Sequence, residues 1–289
     1  ITAVSFNVDN NTVAFCSDIE YTVALCNAHS GELERLIDMG GVSPNHLSWG
    51  PDGVTLAITS TKPRTVRFVN IGVQEVVRKV ETQILVGSVA YSPDGSTLAT
   101  GYLARQTALS VQLFDAETWE SKWELASLGR IGAVVFSQDG SSVVAAGVEK
   151  KIYLISTRSG EVERIIESGH ESFISRIAYS PDGSTFATLC PDSKTGLRLF
   201  DAVTWEVKNV VETGHTAHWG LAVSADGSTF ATCGGDVRLV NTMSGETEII
   251  EAGKMYRSVA FSPDGSILAT GSVDGFVRIT NAKTKVDMR

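Results

Sequence analysis

The stretch Val89-Ala90-Tyr91-Ser92-Pro93-Asp94-Gly95-Ser96-Thr97-Leu98-Ala99 sets two short apolar runs on either side of a tight reversal. Proline presets the backbone angle a turn requires, and glycine accepts the positive φ that follows. The same step, or its near relative, recurs at Asp9-Asn10, Asp52-Gly53, Asp139-Gly140, Asp182-Gly183, Asp226-Gly227 and Asp264-Gly265. The seven copies follow one another at intervals of 43, 42, 45, 43, 44 and 38 residues. Self-similarity at about forty residues is the mark of a repeat architecture.

A large–small–large triplet precedes each turn: Val4-Ser5-Phe6, Leu47-Ser48-Trp49, Val89-Ala90-Tyr91, Val134-Val135-Phe136, Ile177-Ala178-Tyr179, Leu221-Ala222-Val223 and Val259-Ala260-Phe261. A second run follows each turn, as in Leu56-Ala57, Phe186-Ala187 and Leu268-Ala269. Alternation between large and small, instead of apolar and polar, means that both faces of these strands are buried. Stacked blades supply that environment, because each sheet is sandwiched between two others.

A third strand follows, as in Leu197-Arg198-Leu199-Phe200-Asp201, and ends in a second recurring turn such as Asp115-Ala116-Glu117-Thr118-Trp119-Glu120. A fourth leaves it, for example Val162-Glu163-Arg164-Ile165-Ile166. Four short strands in each of seven units, with no helical periodicity, specify an all-β, seven-bladed β-propeller with four antiparallel strands per blade. The copies fall at about residues 1–40, 41–83, 84–127, 128–168, 169–213, 214–252 and 253–289 of one domain. In the seventh only residues 285–289 remain for a fourth strand. Either that segment suffices, or a strand upstream of Ile1 completes the ring.

These units resemble WD repeats over essentially the whole chain. That family carries a Gly-His near the start of each repeat, a Ser-Pro-Asp-Gly type turn, a Ser or Thr in the second strand, an Asp after it, and Trp-Asp closing the third. The fifth copy matches in part through Gly169-His170, Thr188, Asp192 and Phe200-Asp201. The sixth offers Gly214-His215, Thr232 and Asp236, with Val240 where the Trp belongs. Phe and Val lack a ring N–H, so the family's polar chain from His to Trp is incomplete in both. The resemblance implies a rigid disc that presents loops to protein partners and has no chemistry of its own. The rival is a small-ligand-binding or hydrolytic propeller of the TolB-like or lactonase-like kind, where similar Pro-Asp-Gly turns occur.

Composition narrows the function further. The formal net charge is -9, and phosphate-backbone binding needs clustered Lys and Arg, so nucleic acid is not expected as a partner. Residues 1–40 are acidic and those from Gly253 on are basic, two ends that a closed ring brings together. No apolar stretch approaches the roughly 20 residues of a membrane span. The chain opens on Ile1 instead of Met, as a piece of a longer protein would. Cys16, Cys26, Cys190 and Cys233 form no Cys-x-x-Cys pair and read as buried free thiols of an intracellular, cytoplasmic protein.

No Gly-x-Ser-x-Gly elbow, phosphate-cradling loop or His-Glu-x-x-His element is present. His215 and His218 lie close in sequence, but no third ligand has fitting spacing, so neither metal nor cofactor is expected. Aligning the copies on the Asp-Gly turn places Phe173, His218, Trp219, Tyr256 and Arg257 seven to nine residues upstream of it, with Arg130 in the equivalent place of the fourth copy. The first three copies hold Ile1, Pro44 and Val86 there. Trp, Tyr and Arg are enriched in interface hot spots, so this arc is the expected partner-binding surface. A structural role as plugs between blades is the alternative for Phe173 and Trp219.

Overall fold

A computed structural model describes residues 1–103, 109–191, 196–214 and 219–288. In the first blade, β1 (Ala3–Phe6), β2 (Thr12–Ser17), β3 (Thr22–Asn27) and β4 (Leu33–Asp38) pair in sequence order, each antiparallel to the next. Five further sheets repeat that order with four strands each. The seventh sheet holds three, Tyr256–Phe261, Ile267–Ser272 and Val277–Asn281. Among the described residues its fourth strand is reduced to one bridge, Thr280 to Asp287, with Met288 donating its amide to the Ile279 carbonyl at 2.8 Å.

The first strand of every blade touches the first strand of the next, and Tyr256–Phe261 closes the circle onto β1. The large–small–large triplets therefore form the innermost strands. Seven separate hydrophobic cores lie one in each interface between neighbouring blades. The second strands are buried on both faces: Leu98 and Ala99, Phe186 and Ala187, and Leu268 and Ala269 are each at most 1% exposed. Burying one such large side chain stabilises the fold by about 1.5–3 kcal/mol.

The turn chemistry explains why the strands reverse where they do. The residue after the turn Asp has positive φ in all seven copies, from Asn10 at 60° through Gly53, Gly95, Gly140, Gly183, Gly227 and Gly265. In the fifth copy the Ser180 hydroxyl donates to Asp182 at 2.6 Å and accepts the Thr185 amide at 3.0 Å. Asp182 in turn accepts the Ser184 amide at 3.0 Å. These bonds hold its carboxyl down at about 2, with the Ser180 hydroxyl the largest cause. The repeated Asp is thus fully used by its own turn. The second recurring turn also has one left-handed residue per blade, including Trp119, Trp205 and Lys285.

Because strands alternate in direction, one face of the disc carries all the Asp-Gly turns and the turns between third and fourth strands. The opposite face carries the described loops that lead into first strands, together with the described loops between second and third strands.

Candidate functional site

The innermost strands enclose a central cavity of about 340 Å³ that opens on that second face. One residue from each blade lines it at the same repeat position, seven before the turn Asp: Thr2, Asn45, Gly87, Gly132, Ser175, Trp219 and Arg257. In blades two, three, four and seven the register shifts at this residue, between Pro44 and His46, Val86 and Ser88, Ile131 and Ala133, and Tyr256 and Ser258. A bulge of this kind leaves its residue outside the ladder and re-aims the side chain. The residue one position earlier points the other way in four blades: Ile1, Val86, Ile131 and Tyr256 are all at most 7% exposed.

That geometry sorts the residues anticipated from sequence. Trp219 and Phe173 line the mouth with 44% and 40% of their surface exposed. Arg257 lines it too and pairs with Asp18 of blade one at 3.6 Å. Tyr256 is corrected: at 1% exposure it is a core residue between blades six and seven, and its hydroxyl accepts a bond from Arg278 at 2.8 Å. Arg130 is half-buried, does not line the cavity, and gives its carbonyl to the Val148 amide at 3.0 Å. His218 lies outside the described residues, as do His215 and Asp192.

Two titratable residues of the cavity were not anticipated. His46 of blade two and Arg176 of blade five stand six positions before their turn Asp and project into the cavity from different sides of the ring. Burial, then the charge of Arg176, pushes the His46 imidazole down to about 3, so it is neutral. Its Nδ1 is buried with no hydrogen-bond partner among the described residues. The Arg176 guanidinium donates from Nη1 to the Ser175 carbonyl at 2.8 Å, and burial lowers its pKa. A charged residue opening an inner strand, as in Ser175-Arg176-Ile177, was the signal available in the sequence.

Wider grooves run between blades on the opposite face, one of about 580 Å³ lined by Asp94, Lys122, Asp139 and Arg158 among others. Their walls include turn carboxylates already bonded within their own turns, such as Asp139, which accepts the Ser137 hydroxyl at 2.6 Å. Among the described residues no group of three or more His, Cys, Asp or Glu side chains stands together as metal ligands would. The four cysteines are buried free thiols, and burial pushes Cys16 up to about 11 and Cys233 up to about 12. No helix among the described residues is long and apolar enough to cross a membrane.

Where the WD-type signature was legible, its contact forms. His170 Nε2 and Thr188 Oγ1 are 2.7 Å apart. Phe200, in the place of the Trp, stacks on Phe186 with centroids 4.8 Å apart and planes 6° from parallel.

Comparison with known proteins agrees with this geometry. The family described as WD domain, G-beta repeat matches residues 161–195 and 238–281. The Eukaryotic translation initiation factor 3 subunit I of Kluyveromyces lactis is 24% identical over 316 aligned positions, covering 96% of this chain and 88% of the relative. The U5 small nuclear ribonucleoprotein 40 kDa protein of Dictyostelium discoideum is 25% identical over 55% of this chain. The Serine-threonine kinase receptor-associated protein of Bos taurus is 26% identical over 66%. The alignments span only 45% and 55% of those last two relatives. The crystal structure of the Cps50 (Swd1) β-propeller domain of Myceliophteria thermophila superposes with a TM-score of 0.84 at 16% identity, covering 97% of this chain and 96% of that one.

Proposed function

We propose that this chain, a WD-repeat β-propeller with divergent repeats, is a non-catalytic scaffold that holds a partner protein across the mouth of its central cavity. The observation that carries the reading is the pair Phe173 and Trp219, two large side chains left 40% and 44% exposed at the rim of a concave site. Aromatic side chains so placed bury much area on binding at little cost in lost rotamers. The rest of the molecule supports a platform. Seven apolar interfaces among the described residues favour a rigid disc, and a rigid frame is what lets loops on one face present a fixed surface.

Relatives named as a ribonucleoprotein component, an initiation-factor subunit and a receptor-associated protein favour a place within a larger intracellular assembly. Among the described residues the cavity offers no nucleophile beside a base; it offers one half-buried charge without a carboxylate partner, one neutral imidazole and an apolar wall. The test is co-purification with the full chain. Phe173→Ala with Trp219→Ala should leave the melting temperature close to that of the native protein while the native partner no longer co-purifies. Unchanged co-purification would refute the reading.

A further inference from the structure

We propose that the partner enters the cavity with an acidic side chain, whose carboxylate is received by Arg176 and whose apolar neighbours rest on Phe173 and Trp219. This deepens the reading of the mouth as the partner-binding surface and rests on it.

The charge inventory of the cavity carries the inference. In a protein of formal net charge -9, the described residues lining the cavity include Arg176, Arg257 and His46 and not one Asp or Glu. Arg257 is already paired with Asp18. Arg238 of blade six is paired with Asp236 at 2.8 Å, and Arg278 of blade seven with Glu251 at 3.8 Å. Among the described residues Arg176 has no carboxylate partner, and its one hydrogen bond goes to the carbonyl of the residue before it. A guanidinium stays protonated, carries five donors, and is costly to withdraw from water unless an anion meets it. The donors left over match a carboxylate fork to fork.

Two further features narrow the occupant. The neutral His46 adds no second charge, and its unpartnered Nδ1 offers one more polar contact to a group seated against Arg176. At about 340 Å³ the cavity is near the lower end of the roughly 300–1,000 Å³ of small-molecule sites, room for one or two side chains of a protein segment. Its walls include Leu103, Val148 and Ile174, which suit apolar residues flanking the acid.

The experiment measures binding of the full chain to pools of synthetic heptapeptides. The central residue is fixed as Glu, Gln, Lys or phosphoserine, and the flanking positions are mixed aliphatic and aromatic. The Glu pool should bind roughly ten- to a hundredfold tighter than the Gln pool, the range for hydrogen bonds to a charged group. Arg176→Gln should erase that preference and melt close to or above the native temperature, since it removes a half-buried charge that has no carboxylate partner among the described residues. Arg176→Lys, which keeps the charge without the fork, should retain part of it. Equal binding of the Glu and Gln pools, preference for Lys or phosphoserine, absence of binding to any pool, or a preference that survives Arg176→Gln would overturn the inference. A Glu preference that is intact in Trp219→Ala, with no loss of affinity, would instead remove the aromatic rim from the proposed function and leave the carboxylate site standing. Equal weakening of all pools by Trp219→Ala, with no Glu preference, would do the reverse.

Discussion

Arg257 of blade seven and Asp18 of blade one stand 3.6 Å apart across the seam where the two ends of the chain meet. They realise the attraction between a basic end and an acidic end, yet they do not hold the ring. Both side chains are exposed, and exposed pairs contribute about 0–1 kcal/mol. The seam is held by its dry layer of Val4, Phe6, Ile267 and Ala269, and by bonds such as the Ile1 nitrogen to the Ser272 carbonyl at 2.9 Å. Asp18→Asn should therefore lower stability by no more than about 1 kcal/mol. Ile267→Ala, at 2% exposure in that layer, should cost about 2–5 kcal/mol in urea titrations. Equal losses would mean that charge closes the propeller.

Tyr256 and Trp219 separate core from surface. Tyr256→Ala removes a side chain 1% exposed and should cost about 3–5 kcal/mol. Trp219→Ala removes one that is nearly half exposed and should cost about 1 kcal/mol or less. A melting experiment that reversed this order would show Trp219 to be a plug between blades.

These two residues also show what the sequence could and could not tell. The turn at Ser180 and Asp182 was legible because its chemistry is local: the short run from Ser180 to Thr185 supplies its own donors and acceptors. The burial of Phe186 and Ala187 was legible from alternation alone. Tyr256 faces the interface between blades six and seven while its neighbour Arg257 faces the cavity, an alternation that blade one repeats with Ile1 and Thr2. Copies aligned on a turn give the repeat position but not which of two adjacent residues faces inward. His46 and Arg176 share one cavity only when blades two and five are brought around the ring, so the local signal at Arg176 did not announce their meeting.

Ser180 tests the turn directly. It is 1% exposed and satisfies both the Asp182 carboxylate and the Thr185 amide. Ser180→Ala leaves that amide buried without its partner and should cost about 1–3 kcal/mol. Ser180→Thr, which keeps the hydroxyl, should recover part of the loss in the same urea titration.

His46 makes stability depend on pH. Its pKa is 6.5 in the unfolded chain and about 3 in the native protein, so between those values only the unfolded chain binds the proton. The contribution is fully present above about pH 6.5 and is lost as pH falls toward 3. Melting temperatures taken from about pH 7 to pH 5 should fall more steeply for the native protein than for His46→Gln. Parallel curves would show that folding leaves the proton affinity of His46 unchanged, and a native protein that gains stability on acidification would place a carboxylate beside it.

The most direct measurement of the central claim is site-specific photocrosslinking in native extract. A benzoylphenylalanine replaces either Trp219, at the cavity mouth, or Met243, which is 91% exposed on the opposite face. The same partner protein should be captured from position 219 and not from 243, and Arg176→Gln should diminish the adduct. Capture of that partner from position 243 at equal or greater yield, with none at 219, would contradict the account.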